Sequence, residues 1–146
     1  MAAGLLAIGC KSEPRESPMV AAMKQCDHDA ELSCPRPIFG VRDVVASQAY
    51  YRDKLGFTID WTYGEPPDFG SVSRAETVVF LGESRGTVGG GWLWVFARDL
   101  DALHRELVHR GANIKLPPTE MEWGVREMHV LDLDGNTLRV AGASKR

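Results

Sequence analysis

Two stretches of the chain repeat one another. VRDVVASQAYYRDKLGFTI (41–59) and ARDLDALHRELVHRGANI (97–114) both carry Arg-Asp followed by an aliphatic residue near their start, Arg42-Asp43-Val44 in one and Arg98-Asp99-Leu100 in the other. Both then run to a glycine, 13 residues from Asp43 to Gly56 and 12 from Asp99 to Gly111. An isoleucine follows three residues later in each, Ile59 and Ile114. A duplication of this kind restricts the fold to two copies of one supersecondary unit, packed so that each buries what it cannot bury alone.

The repeated stretches predict helices. Asp43 and Asp99 are placed to accept from the free N–H groups of a first turn. Gly56 and Gly111 are placed to take the left-handed conformation that ends a helix at low cost. Leu100, Leu103, Leu107 and Val108 fall on one face of the second helix. Strands are expected on either side of each helix: about 36–41, 57–63, 70–74 and 76–82 around the first, and about 89–97, 113–116, 124–131 and 136–142 around the second. Their side chains alternate. Trp92, Trp94 and Phe96 share one face of a strand, with Leu93, Val95 and Ala97 on the other. Asp134-Gly135 between apolar runs predicts a hairpin turn. The expected fold is α+β: tandem βαβββ modules, about 36–82 and 89–142, forming a curved mixed-sheet cup with helices on the outside.

Residues 1–34 read differently from the remainder, and the domain is expected to span 35–146. All three cysteines, Cys10, Cys26 and Cys34, lie in this extension. An odd count at one end does not read as a disulfide framework. KSEPRESP (11–18) reads as a solvated linker, and the extension as flexible. The apolar run ending at Gly9-Cys10 allows a lipoprotein anchor through Cys10, but no basic residue precedes it. The cytoplasm is the expected location. No apolar run approaches the roughly 18 residues that cross a bilayer, so no transmembrane segment is expected. Lys+Arg 17 against Asp+Glu 20 leaves no basic excess for nucleic acid.

Trp123-Gly124-Val125-Arg126 followed by Asp132-Leu133-Asp134-Gly135-Asn136 is similar to the WGxR…DPxGN segment of the vicinal oxygen chelate superfamily (glyoxalase, bleomycin-resistance protein, dioxygenase), with Leu133 where proline is usual. Pro37-Ile38-Phe39-Gly40-Val41-Arg42-Asp43-Val44, leading into Tyr50-Tyr51 and Leu55-Gly56-Phe57, resembles the opening of its bleomycin-resistance branch. So does the Trp92-x-Trp94 strand running into Asp99-Leu100-Asp101. The resemblance spans about residues 35–143.

In the metal-dependent members, His and Glu side chains on the strands hold a divalent ion. The resemblance places Arg36, Trp92 and Arg139 at those positions. A guanidinium has no acceptor and an indole only donates, so neither ligates a cation. His104 and His109 do not share a helix face. The expectation is therefore no metal and no cofactor. The alternative is a divergent metal-dependent glyoxalase-type lyase, dioxygenase or fosfomycin-type transferase whose ligands come from His129, Glu76 or Glu127.

A metal-free cup points to binding. Members of the bleomycin-resistance branch hold flat heteroaromatic drugs between aromatic side chains. Trp123 matches a residue of that kind, and Phe69 in the Pro-Pro-Asp-Phe-Gly loop matches more loosely. Trp92 and Trp94 suit a wall that is part apolar and part wet. Each of these rings has a second reading, as core filling. Arg36 and Arg139 would make the floor cationic and favour an anionic group; their second reading is pairing with Glu76 or Glu127. The domain counts Lys+Arg 14 and Asp+Glu 15, so it has no acidic field to steer in a cation such as bleomycin. The function expected is sequestration of a planar or anionic small molecule, with antibiotic resistance as the biological setting. The resemblance also implies a homodimer with its ligand grooves at the subunit junction.

Overall fold

In the computed structural model, which describes Ser17, Val20, Cys26 and residues 29–145, both aspartates cap their helices. Asp43 accepts from the Ala46 N–H at 2.8 Å and Asp99 from the Ala102 N–H at 2.8 Å. The helices are α1 (Val44–Leu55) and α2 (Leu100–His109). Gly56 closes α1 at φ 72°, and the Phe57 N–H returns to the Tyr51 carbonyl at 3.0 Å. Gly111, at φ 70°, follows Arg110 at the end of α2. A side chain at either glycine would be strained there.

Each helix is followed by three strands and preceded by one. The first module holds β1 (Ile38–Val41), β2 (Thr58–Gly64), β3 (Pro67–Arg74) and β4 (Thr77–Glu83). The second holds β5 (Trp92–Phe96), β6 (Asn113–Glu120), β7 (Arg126–Leu131) and β8 (Thr137–Gly142). The two sheets have matching orders, β1-β4-β3-β2 and β5-β8-β7-β6. In each, the first strand pairs in parallel with the last of its module and the other pairings are antiparallel. The fold is thus α+β, a tandem pair of βαβββ modules built on two four-stranded mixed sheets that do not close into a barrel.

Alternation gives each sheet two different faces. Phe39, Val41, Val72, Val79 and Leu81 from the first sheet join Met128, Val130, Leu138 and Val140 from the second in one core. Val44, Tyr51 and Leu55 of α1 and Leu100 and Leu107 of α2 complete it. The opposite faces carry Trp61, Phe69 and Phe80 on the first sheet and Trp92, Trp94 and Phe96 on the second.

The β7–β8 turn fastens α1 to the second module. Asp132 accepts from the backbone N–H groups of Asp134 and Asn136, and Gly135 takes φ 91°. Asp134 is thereby turned back to bond Arg42 Nε at 2.7 Å and the Ser47 hydroxyl at 3.1 Å.

Three expectations change. Pro67-Asp68-Phe69 belongs to β3, paired with β2, where a loop was expected. β6 runs on through Pro117 and Pro118 to Glu120, beyond the expected end at 116. It is an edge strand, so prolines that cannot donate are tolerated, and its register shifts between Leu116 and Thr119. Cys26 and Cys34, in an extension whose cysteine count did not read as a disulfide framework, form a disulfide with Cα atoms 5.5 Å apart. Their separation of eight residues suffices for a local clip even though the total count is odd. The chain divides into two compact units, Met1–Pro35 and Arg36–Arg146. The apolar run ending at Cys10 lies outside the described residues.

Candidate ligand-binding site

β5 alternates across the second sheet. Leu93 and Val95 pack towards the core, while Trp92, Trp94 and Phe96 stand on the opposite face and are 64%, 48% and 65% exposed. Register sets their neighbours. Trp94 lies opposite Arg139 of β8, and Arg139 lies opposite His129 of β7. Glu127 is two residues before His129 and therefore shares its face. Trp123, 61% exposed, reaches the same face from the turn that precedes β7.

These side chains converge on one carboxylate. Glu127 is only 1% exposed. Its Oε1 accepts the indole N–H of Trp94 at 3.3 Å and that of Trp123 at 3.1 Å. Its Oε2 accepts Arg139 Nη2 at 2.7 Å and Nε at 3.1 Å, and lies 3.1 Å from His129 Nε2. The polar edges of both indoles are thus held inward, and their apolar rings are left standing out. The Arg139 guanidinium lies 5.7 Å from the Trp92 ring centre and 6.0 Å from that of Trp123, within cation–π reach of both.

Burial pushes the Glu127 carboxyl up. The hydrogen bonds from Arg139, His129, Trp123 and Trp94 together outweigh it, and the net value falls to about 2. Glu127 is therefore ionised through the physiological range. With Arg139 it makes a paired, nearly neutral floor beneath an aromatic surface.

The other expected residues lie elsewhere. Phe69 is on the first sheet, in a three-ring cluster with Trp61 at 5.7 Å and Phe80 at 5.6 Å; Trp61 and Phe80 are 5.3 Å apart. Arg36 precedes β1, on the first-sheet side, and is partly buried. No hydrogen bond, ion pair or ring contact joins Phe69 or Arg36 to the Glu127 cluster among the described residues. Within one chain, then, Trp92, Trp94, Trp123 and Arg139 form one group, while Phe69 and Arg36 belong to the other module. Trp61 and Phe80 were missed as partners of Phe69, as was Glu127 as the centre of the tryptophan group. Alternation through Glu127-Met128-His129-Val130 was the available signal, because buried Met128 and Val130 force Glu127 and His129 to the tryptophan face.

Arg126, of the same motif, has a structural task. Its two terminal nitrogens each bond an Asp101 carboxylate oxygen at 3.0 Å, tying β7 to the start of α2.

The divalent ion implied by the resemblance does not fit this arrangement. The residues that the resemblance puts at the ligand positions, Arg36, Trp92 and Arg139, carry no group that ligates a cation. Glu127 already accepts from two indoles and a guanidinium, which occupy the lone pairs an ion would need. Glu76 sits in the exposed turn between β3 and β4, on the other sheet from His129 and Glu127. No group of three or more His, Cys, Asp or Glu side chains converges among the described residues.

Solved structures share this architecture. The bleomycin-binding protein of Streptomyces verticillus, complexed with copper(II)-bleomycin, aligns at TM-score 0.68 and 23% identity over 79% of this chain and 99% of its own. The bleomycin resistance determinant encoded on transposon Tn5 aligns at TM-score 0.67 and 19% identity, covering 77% and 99%. A member of the glyoxalase/bleomycin resistance protein/dioxygenase superfamily from Sphaerobacter thermophilus aligns at TM-score 0.62 and 27% identity, covering 73% and 94%. No curated protein matches the sequence significantly. Residues 22–145 match the family model described as "Glyoxalase superfamily protein". With the tandem βαβββ modules, the WGxR and DxDGN segments and this match in agreement, the chain belongs to the glyoxalase superfamily, within the vicinal oxygen chelate group.

Proposed function

We propose that the protein binds a planar aromatic small molecule on the face formed by Trp92, Trp94 and Trp123, and that it acts by sequestration, without making or breaking a bond. The observation that carries this reading is the pinning of two indole N–H groups on one buried carboxylate, which presents apolar rings to solvent in a fixed orientation. Rings held in this way lose little freedom when a flat ligand stacks on them. Arg139, oriented by Glu127 and lying near two rings, supplies a hydrogen-bonding edge for an anionic substituent on the ligand. The reading needs neither metal nor cofactor. The bleomycin-binding neighbours support it at the level of the fold.

A homodimer completes the proposed site. Phe69, Trp61 and Phe80 form a second aromatic face on the first sheet. A second copy could set that face, with Arg36 at its edge, across the tryptophans and enclose the ligand between the two.

The test is titration of tryptophan fluorescence, in chelator-treated protein, with a metal-free panel: bleomycin, a quinoxaline and a planar phenolic carboxylate. Saturable quenching is expected, weakened about fivefold by Trp123→Ala, since ring stacking is worth about 1 kcal/mol beyond buried area. A flat response to every compound removes the reading. So does binding that appears only when a divalent metal is restored.

No described helix is long and apolar enough to cross a membrane. A cytoplasmic location implies that the Cys26–Cys34 pair is reduced in the cell. Thiol alkylation in intact cells, followed by mass spectrometry, distinguishes that from an oxidising compartment.

A further inference from the structure

Against the core face of the second sheet, and reaching its β5 edge at Phe96, lies a pocket of about 270 Å³. Its walls are Leu55 at the end of α1, Leu103 and Leu107 of α2, and Val95, Val130 and Val140 of the second sheet. Closely packed interiors leave few voids larger than a water molecule. This one is nearly twice the size of a dry cavity of roughly 150 Å³ that takes up benzene in another protein. Unlike that cavity it is open to solvent on one side, while its inner walls are apolar.

The mouth is different in character. Arg74 closes one side and is already engaged, its Nη1 bonding the Leu55 carbonyl at 2.6 Å and its Nη2 bonding Glu106 at 2.7 Å. Arg98 stands on the other side, exposed, and makes no hydrogen bond or ion pair among the described residues. Asp99 also lines the mouth, but its carboxylate is turned to cap α2 at the Ala102 N–H. The uncommitted charge at the entrance is therefore positive, above an apolar interior.

We infer that this pocket is a second binding site, for a monocarboxylate with an apolar body: the hydrocarbon enters between α2 and the second sheet, and the carboxylate remains at the mouth on Arg98. The inference is independent of the reading of the tryptophan face, since none of Trp92, Trp94, Trp123, Glu127 and Arg139 lines this pocket.

Decanoate is a suitable probe, with decanol as its uncharged counterpart, each titrated calorimetrically into the full chain. Saturable binding of decanoate is expected, several-fold tighter than decanol. Arg98→Gln should remove that preference and leave decanol unchanged. Ala97→Leu, which extends a pocket-lining side chain into the space, should weaken decanoate at least tenfold. Trp123→Ala should have no effect. Xenon pressurised over wild-type protein gives a readout that needs no variant to fold; it should shift the methyl resonances of Leu103, Leu107 and Val95. The inference is overturned if decanoate fails to bind at millimolar concentration, if Trp123→Ala rather than Ala97→Leu abolishes binding, or if xenon leaves those methyl groups unmoved.

Discussion

A carboxylate taken out of water stays ionised only if its lone pairs are bonded and a positive group lies close by. Glu127 meets both conditions through Trp94, Trp123, His129 and Arg139. Its carboxyl titrates near 2 in the folded chain, against an ordinary value of 4.5, although burial opposes that direction. A lowered carboxyl pKa contributes stability that is complete above the unfolded value and is lost as pH falls towards the folded one. Asp132 has the opposite sign. Burial raises its pKa, so its ionised form weakens the fold at neutral pH and acid relieves that cost. Acid unfolding of the wild-type protein mixes the two, and Glu127→Gln separates them. The variant should be less stable at pH 7 by about 2 kcal/mol, a figure discounted because Arg139 keeps partial access to water. The gap should narrow as pH is lowered from about 4.5 towards 2. Urea unfolding of both proteins across that range measures it, and a gap that stays constant with pH would refute the assignment. Tryptophan emission should move in Glu127→Gln even under native conditions, since the two indoles and Arg139 then compete for one uncharged amide oxygen.

The β7–β8 turn is the element on which the first helix depends. Asp132 shapes it, and Asp134 then reaches Arg42 and Ser47 at the entrance to α1. Asp134→Ala removes three hydrogen bonds to the carboxylate, from the Arg42 N–H, Arg42 Nε and the Ser47 hydroxyl, while leaving the Asp132 turn intact. It should cost about 1–2 kcal/mol and appear as earlier hydrogen exchange in α1 than in α2. Uniform loss of protection across both helices would show that the turn does not anchor α1 in particular. The boundaries of these elements were legible to different degrees. Both helices were readable because cap chemistry is local: an aspartate at the start and a glycine at the end suffice. The strands of the tryptophan face were readable by parity. The extents of β3 and β6 were not, because proline reads as a breaker in sequence, whereas at an edge or a strand start it costs no ladder bond. The grouping of site residues was half legible. Alternation put Trp92 and Trp94 together, and the motif brought Trp123. The module bounds already put Phe69 with the first sheet, but nothing local revealed that it would stand apart from the tryptophans within one chain, since which faces meet is decided by packing between modules that are far apart in sequence.

At the scale of the molecule, the two modules share one core, and two aromatic groups, Trp61–Phe69–Phe80 and Trp92–Trp94–Phe96–Trp123, are left on the faces turned away from it. Trp92, Trp94, Phe96 and Trp123 are each about half exposed or more, which is a large apolar area for a lone soluble domain. Such surfaces ordinarily mark a contact with another molecule. The aromatic cluster of Trp61, Phe69 and Phe80 stands on the other sheet, and no described contact joins it to the first group within one chain. Two copies related by a two-fold axis could satisfy both faces at once, because each would offer its first sheet to the other's second. Sedimentation equilibrium should therefore find a dimer at micromolar concentration. Phe96 is suited to testing this. It is 65% exposed and lies outside the Glu127 network, so Phe96→Lys should leave unfolding of the monomer nearly unchanged. It should raise the dimer dissociation constant at least tenfold, the cost of burying a charge at an aromatic contact. Ligand binding should fall in parallel if the site is shared between copies. A wild-type protein that sediments as a monomer while still binding flat ligands would show that one sheet is sufficient, and that Phe69 and Arg36 play no part in recognition.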